Sequence, residues 1–578
     1  MTAVRPAPAK LWRVRGFDPE RARALARALG LSPTVAGVLA ARGVVDEREA
    51  ARLLKPSFDQ LHDPSLMLGM AESVARVLRA VDAGERILIY GDYDVDGTTG
   101  TVVLRRALDI LGAQTGFHVP HRFTEGYGIR QDVLERARND GYKLVISVDC
   151  GIRAHEPLEW ARANGLDVIV TDHHLPDADE GAPPAFAVLN ANQPDCPYPD
   201  KHLAGVGVAF KLAHACLRER GRENLVRGFL KIVAIGTVAD VAPLVGENRS
   251  IVALGLADLP RATNPGLRAL MEIASVGRGR EMSASDLGFR IGPRINAAGR
   301  MDAARAVVEL FEATDVGEAR RLAEHLDARN GERQVMQRRI TERALAELEA
   351  NGDCGAVAVV AGENWHRGVI GLAASRIAEK MGRPAVVISL DADGTGHGSA
   401  RSVEGYHLLD GLTSCAELFE SFGGHAQAAG LRIRREHIPE LRRRLHEHAS
   451  GRAIDTTCAP AVNIDAELDA SALTLGLVDE LKQLEPFGAQ WPRPVFATRN
   501  LRVAREPLVL KDRHLKFHLA GEGGGPALEA LWWGAAEDSP ATPAPGDRIE
   551  LAYRVEANTW RDETRLQLIV EDMRESGV

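Results

Sequence analysis

Arg86-Ile87-Leu88-Ile89-Tyr90-Gly91-Asp92-Tyr93-Asp94-Val95-Asp96-Gly97 carries an apolar run directly into three alternating carboxylates. The run Ile87-Leu88-Ile89-Tyr90 reads as a buried strand, and the acids fall where that strand would end. Like charges this close repel one another unless a cation holds them. A calcium-binding loop matches the opening positions, but it needs a bidentate Glu at its last position, where Val103 stands. Helix-flanked calcium loops also do not follow a strand. The reading that remains is a divalent-metal site at the carboxyl end of a strand in an α/β sheet, where such sheets bind their ligands.

Outward from this point the pattern is strand alternating with helix. A helix is expected from about Thr98 to Leu111, ended by Gly112, with strands at Lys143 to Val148 and Asp167 to Val170. This is the grammar of a doubly wound parallel sheet. Helical segments follow from Gly205 to about Ala274. Between Asp302 and Ala350, apolar positions such as Leu322, Leu326, Ile340 and Leu348 sit in a field of Arg and Glu, the pattern of a helical connector, although Asn330-Gly331 would normally signal a break. A smaller α/β block opens at Ala356 to Ala361, continues through a helix near Gly368 to Met381 and returns in the strand Ala385 to Leu390. Short alternating runs from about Ala461 onward, such as Leu515-Lys516-Phe517-His518-Leu519, predict a small antiparallel β-barrel. At the other end, Asp18-Pro19 and Gly30 bracket a capped helix. The expected division is an N-terminal helical segment (1–60), a catalytic parallel-sheet domain (61–300), a helical connector (301–350), a second α/β domain (351–452) and a β-barrel (461–578).

Composition limits what such a chain can be. Its 578 residues exceed what one core organises, and 45% hydrophobic with 26% charged residues is ordinary for a globular protein. Cys150, Cys196, Cys216, Cys354, Cys415 and Cys458 form no C-x-x-C pair, which points away from zinc knuckles and disulfide frameworks and toward the reducing cytoplasm. No signal peptide or membrane span is read. A net charge of -9 argues against coating nucleic acid through a bulk positive field, yet it permits a local Arg-lined groove.

Further polar clusters fall where the sheet would bring them to the first. Asp149 ends the strand Leu144 to Val148, Thr171-Asp172-His173-His174 ends the next, and Asp240 closes the apolar stretch Ile235 to Ala239. Taken singly, an Asp there caps a helix or forms a turn, and paired histidines sit on surfaces or in cores. Gathered at one sheet edge they need a cation. Oxygen donors with one or two imidazoles suit Mn²⁺ or Mg²⁺, and the number of carboxylates points to two ions. Cys150 reads as a small buried residue, since no base stands near it in sequence.

These residues resemble a known family. Asp92 to Gly97, Val148-Asp149-Cys150-Gly151, Thr171 to His174 and Gly236-Thr237-Val238-Ala239-Asp240 are similar to the four ordered motifs of the DHH phosphoesterase superfamily. Gly423-Gly424-His425-Ala426-Gln427-Ala428-Ala429-Gly430 resembles the glycine-rich signature of its DHHA1 domain. Trp365 to Gly371, Gly292 to Arg300 and Leu484 to Gly488 extend the likeness over most of the chain, toward the bacterial branch that degrades single-stranded DNA from the 5′ end. The resemblance implies that Asp92, Asp94, Asp96, Asp149, His173 and Asp240 hold the metals, with Asp149 able to bridge them. His174 would face the scissile phosphate. Arg122, Arg294, Ser399, Arg401 and His425 would hold the strand and its 5′ end. Paired cations supply a nucleophilic water near neutral pH and draw charge from the phosphate during in-line displacement. The β-barrel would be an OB-like DNA-binding module, with Trp532, Trp533, Phe517, Tyr553 and Trp560 equally able to be core. Arg432, Arg434, Arg435 and Arg442 to Arg444 could extend the strand's path or form a solvated face. Implied partners are single-stranded DNA, a single-strand-binding protein and a helicase. Two alternatives stay open: a phosphodiesterase for short oligonucleotides or cyclic dinucleotides, and a noncatalytic binding protein.

Overall fold

The structure is a computed structural model that describes residues 10–277, 281–301, 304–351, 355–451, 461–521, 527–535, 542–560 and 563–576. Cys354, Cys458, Asp302, Arg452 and the side chain of Trp560 lie outside that description. The chain divides into two compact units. One comprises His62–Ala242 and Gly255–Cys458, the other Met1–Leu61, Pro243–Leu254 and Ala459–Val578.

The first unit is built on a parallel sheet. Strand β1 (Arg86–Gly91) leads into helix α1 (Val95–Ile110), then β2 (Gln114–His118), β3 (Tyr142–Val148), β4 (Asp167–Thr171) and β5 (Ala187–Leu189). The order across the sheet is β2-β1-β3-β4-β5, every pair parallel. After β2 the chain crosses to the far side of β1, so the β1–β3 boundary is the switch point where a crevice opens outside the carboxyl ends of the strands. From Ile87 onward β1 is buried, as a strand covered on both faces must be.

Helix α1 begins earlier than Thr98, because the Asp94 carboxylate accepts the Gly97 amide at 3.0 Å and caps it. Asp96 therefore lies inside the first helical turn. Helices α2 (Gly205–Glu219), α3 (Leu230–Ala239) and α4 (Gly292–Arg300) follow. Asp240 sits at the carboxyl end of α3 and so comes from a helix, whereas the clusters were expected at consecutive sheet positions. Three clusters end β1, β3 and β4, and the fourth is carried in by a neighbouring layer.

Helix α5 (Val316–Ala350) runs unbroken through Asn330-Gly331. Asn330 is buried there and accepts from Arg333 Nη2 at 2.8 Å, so the usual turn former is held in the helix by a side-chain bond. The second sheet contains β6 (Ala358–Glu363), β7 (Ala385–Leu390), β8 (Thr395–Arg401), β9 (Phe419–Gly424) and β10 (Ala428–Arg434), with helix α6 (Arg367–Met381) between β6 and β7. Its order is β9-β10-β8-β7-β6, parallel only at β6–β7.

In the other unit, strands between Ala466 and Glu575 form a seven-stranded sheet that closes on itself through pairing of Phe496–Val503 with His514–Ala520. The helices Pro19–Leu29, Pro33–Ala41 and Glu47–Leu54 share one apolar core with it: Leu25, Val38 and Leu39 belong to the same cluster as Leu481, Phe517 and Tyr553. Arg42, just past the second helix, grips Asp465 with two bonds of 2.9 Å. The N-terminal helices, expected from sequence as a segment of their own, thus share this unit's core. Phe517 and Tyr553 are fully buried and Trp532 packs against the core, while Trp533 is exposed. No helix among the described residues is long and apolar enough to cross a membrane.

Candidate metal centre

The carboxyl ends of β1, β3 and β4 and the end of α3 converge on a cleft of about 320 Å³ lined by Asp92, Asp94, Asp96, Asp149, His174 and Asp240, among others. Asp149 follows β3 with φ 62°, a left-handed conformation that Asp tolerates and that turns the chain away from the sheet. Its amide donates to Thr171 O at 2.9 Å, tying the ends of β3 and β4 together. Asp96 is buried, and its two oxygens accept the amides of Gly205 and Val206 at 2.6 and 2.7 Å. The amino end of α2 thereby fixes this carboxylate. His173 Nε2 lies 3.2 Å from Asp149 Oδ1, 3.7 Å from Asp96 Oδ2 and 3.9 Å from Asp240 Oδ2.

Asp172, quoted within a motif but given no role, is what holds the histidines. It is fully buried, and its Oδ1 accepts the amides of His173 (2.7 Å) and His174 (3.1 Å) and faces His174 Nδ1 at 2.8 Å. Its Oδ2 accepts the Ile152 amide at 3.0 Å. Burial would push this carboxyl up, but the His174 bond and charge and these amides outweigh burial and hold it below the usual carboxylate range. In return, Asp172 outweighs the effect of burial on His174 and keeps that imidazole above its ordinary value. Nδ1 of His174 is engaged by Asp172 and lies 3.2 Å from Tyr127 Oη, which leaves Nε2 as the nitrogen open to a substrate.

Asp92, Asp96, Asp149 and Asp240 are destabilised as anions. Burial, then the neighbouring carboxylates, pushes Asp92 and Asp149 well above the ordinary range. Asp240 is pushed up to about 9 by burial, then by Asp96 and Asp94. Asp96 is raised to about 7 by burial and Asp94, against the pull of the two amides. His173 is lowered to about 4 by burial and His174, which keeps it neutral with its lone pair available. Buried Asp92 Oδ1 and Asp149 Oδ1 receive no hydrogen bond. Orphaned buried carboxylate oxygens beside a neutral imidazole are what a hard divalent cation requires. Three sets of donor atoms lie within 4.8 Å of one another: Asp149, His173 and His174; Asp96, His173 and Asp240; Asp92, Asp94 and Asp149. Asp149 and His173 each belong to two sets. Cys150 is buried and its thiol is pushed well up by burial, so it is no nucleophile.

Of the residues expected to hold substrate, Arg122 lines the cleft, its guanidinium 4.7 Å from the Tyr93 ring. Arg401 and Ser399 stand together on β8, with Arg401 Nη1 donating to Ser399 Oγ at 3.1 Å. Arg294 points elsewhere, donating to Asp327 at 2.8 Å and to Arg290 O at 2.5 Å. Arg300, on another face of the same helix, lines the cleft. His425 is exposed at the turn joining β9 and β10, its amide donating to Ala428 O at 2.8 Å. Gly423 and Gly424 of that turn pair with Gly430 and Ala429. Arg432, Arg435, Arg443 and Arg444 are all ion-paired, which makes that group a solvated face.

Arg300 reveals a charge pattern that spacing did not. Its pKa falls to about 10 through burial, then through Arg122, Arg333 and Arg401. Among the described residues no carboxylate lies within ion-pair distance of Arg122, Arg300 or Arg401. Cations packed together without a direct ion-pair partner can receive an anion.

Known proteins share this chain's domains and fold. The N-terminal domain of the DHH family matches residues 86–237, the DHHA1 domain 352–451 and the RecJ OB domain 464–572. The chain is 37% identical to the single-stranded-DNA-specific exonuclease RecJ of Bacillus subtilis over 97% of its own length and 70% of that protein. It is 36% identical to the Escherichia coli protein of the same name, over 94% and 96%. Crystal structures of Thermus thermophilus RecJ with Mn²⁺ (TM-score 0.82, 30% identity, 98% of this chain and 80% of that one) and with Mg²⁺ (0.77, 28%, 98% and 79%) share its fold. With this identity over nearly its whole length, the chain belongs to the RecJ family.

Proposed function

We propose that the chain is a metal-dependent exonuclease that degrades single-stranded DNA to mononucleotides from the 5′ end, in DNA repair and recombination. Asp92, Asp94, Asp96, Asp149, His173 and Asp240 would hold two Mn²⁺ or Mg²⁺ ions. The ions, when bound, supply an activated water and neutralise charge on the phosphate. The protein's own groups do the rest. Asp96 is held rigid by the amides of Gly205 and Val206. Asp172 favours the protonated form of His174 and leaves its Nε2 for a non-bridging phosphate oxygen, where a proton would offset charge that grows in the transition state. Arg122, Arg300, Arg401 and Ser399 take the phosphates on the 5′ side of the cut, so the strand end is anchored before the bond breaks. The barrel module would bind the strand beyond the cut. Buried free thiols at Cys150, Cys196, Cys216 and Cys415 support a reducing, cytoplasmic setting.

The observation that carries this reading is the pair of buried, unsatisfied carboxylate oxygens on Asp92 and Asp149 in a cleft that Arg122 and Arg300 also line. The test is digestion of a long 5′-labelled single strand with Mn²⁺. Early release of labelled mononucleotide is expected; cleavage confined to very short oligomers would favour an oligonucleotide phosphodiesterase, and no cleavage would point to a binding protein. Asp149→Ala should lose more than about 100-fold in turnover while still binding the strand. Near-normal turnover would refute the metal assignment.

A further inference from the structure

Two apolar side chains stand in water where the helix α3 delivers Asp240. Val241 follows that residue directly and is 70% exposed with φ 60°, a left-handed backbone that a β-branched residue rarely adopts. Phe289 is 81% exposed on a π-helical turn, Leu287–Ile291, that runs into α4. Such turns are rare and concentrate at functional sites. Phe289 is also firmly mounted, because Leu287 and Ile291 on either side are fully buried.

The turn lies against the end of α3. A Cβ built on Gly288 would be 3.4 Å from Val238 Cγ1, and one on Gly292 would be 3.2 Å from Ala239 Cβ. Ala239 and Asp240 line the metal cleft, and so do Asn296, Gly299 and Arg300 on the helix that Phe289 precedes. Phe289 thus stands on the turn that packs against the end of α3 and leads into the cleft-lining helix α4. A scattered surface apolar residue needs no explanation, but a rigidly held aromatic ring beside a phosphate-binding cleft does.

Resting on the exonuclease reading, we propose that Phe289, with Val241 at the same helix end, is a stacking platform for a nucleobase next to the scissile phosphate. Cations take the backbone and an apolar face takes the base, as a single strand requires. A base within a duplex is stacked on both sides and cannot present its face to the ring. The platform therefore contributes to selection of an unpaired strand.

The experiment compares a natural single strand with strands in which one nucleotide near the 5′ end is abasic, cut by wild type, Phe289→Ala, Phe289→Leu and Phe289→Trp. Wild-type cleavage of the natural strand checks the exonuclease reading itself, and its absence would remove the ground for this proposal. Expected is a KM raised about 5- to 100-fold by Phe289→Ala with kcat within about twofold, and recovery in Phe289→Trp. At one abasic position wild type should suffer the same rise, and Phe289→Ala no further one. Phe289→Leu, which keeps an apolar side chain without a ring, should behave as the alanine variant does and guards against misfolding. An unchanged KM in both variants, or an equal abasic penalty in wild type and Phe289→Leu, would overturn the proposal.

Discussion

Asp172 shows how much of a metal centre can lie in a residue that need not touch the metal. Its Oδ1 is taken up by the two histidines it orients, and its Oδ2 reaches across to the Ile152 amide in the loop after β3. Asp172→Asn keeps the shape but removes the charge that sustains His174. Activity should fall about 10- to 100-fold, and the acidic limb of the pH–rate profile should persist while the limb that reports loss of the His174 proton moves to lower pH. The carboxylates themselves make stability depend on pH when metal is absent. Asp240, pushed to about 9 by burial and then by Asp96 and Asp94, and Asp96, at about 7, favour folding only while protonated. That contribution is complete below the ordinary carboxylate value of 3.8 and is lost as pH climbs through the raised values. In chelator, Tm should therefore fall from pH 5 to pH 9, Asp240→Asn should flatten the fall, and Mn²⁺ should raise Tm most at the upper end. At this scale, the ligand types were legible in the sequence because carboxylates and imidazoles have few other reasons to crowd a strand end. The choice between Arg294 and Arg300 was not, since both belong to one motif and only the rotation of α4 decides which faces the cleft.

The elements act by where they end. The start of α2 supplies two amides to Asp96, and it can come so near only because residue 205 is glycine: a Cβ there would lie 2.7 Å from Asp149 Cβ and 2.8 Å from its Oδ1. Gly205→Ala should leave the unfolding temperature nearly unchanged and lower kcat on the order of 100-fold by displacing Asp149. Thermal unfolding and steady-state kinetics on one preparation separate the two effects. The strands after Arg86, Tyr142 and Asp167 were readable because parallel strands buried on both faces are continuous apolar runs. The start of α1 was misplaced by one turn because Asp94 is at once a helix cap and a candidate ligand, and the cap wins the backbone. Asn330-Gly331 was read as a possible break, and burial with a bond from Arg333 overrides that local preference.

Across the whole molecule, one unit joins the DHH sheet, the connector and the DHHA1 sheet, and the guanidinium cluster is assembled from all of them: Arg122 after β2, Arg300 on α4, Arg333 on α5 and Arg401 on β8. Arg401→Ala should weaken strand binding, abolish any preference for a 5′-phosphorylated end, and reduce the slope of log K against log salt by about 0.7. Titrations of phosphorylated and unphosphorylated strands at several salt concentrations would show it. By itself, the sequence determined the class of sheet, the DHH and DHHA1 motifs and the gathering of acids at strand ends, because strand burial and charge crowding are local properties written in composition and spacing. Tertiary structure alone decided that Asp240 arrives from a helix, that Asp172 governs the histidines, that Arg300 faces the cleft, and that the N-terminal helices complete the core of the C-terminal barrel. Each of these depends on side chains far apart in the chain being brought together by packing, and no local pattern encodes which of several equivalent faces will meet.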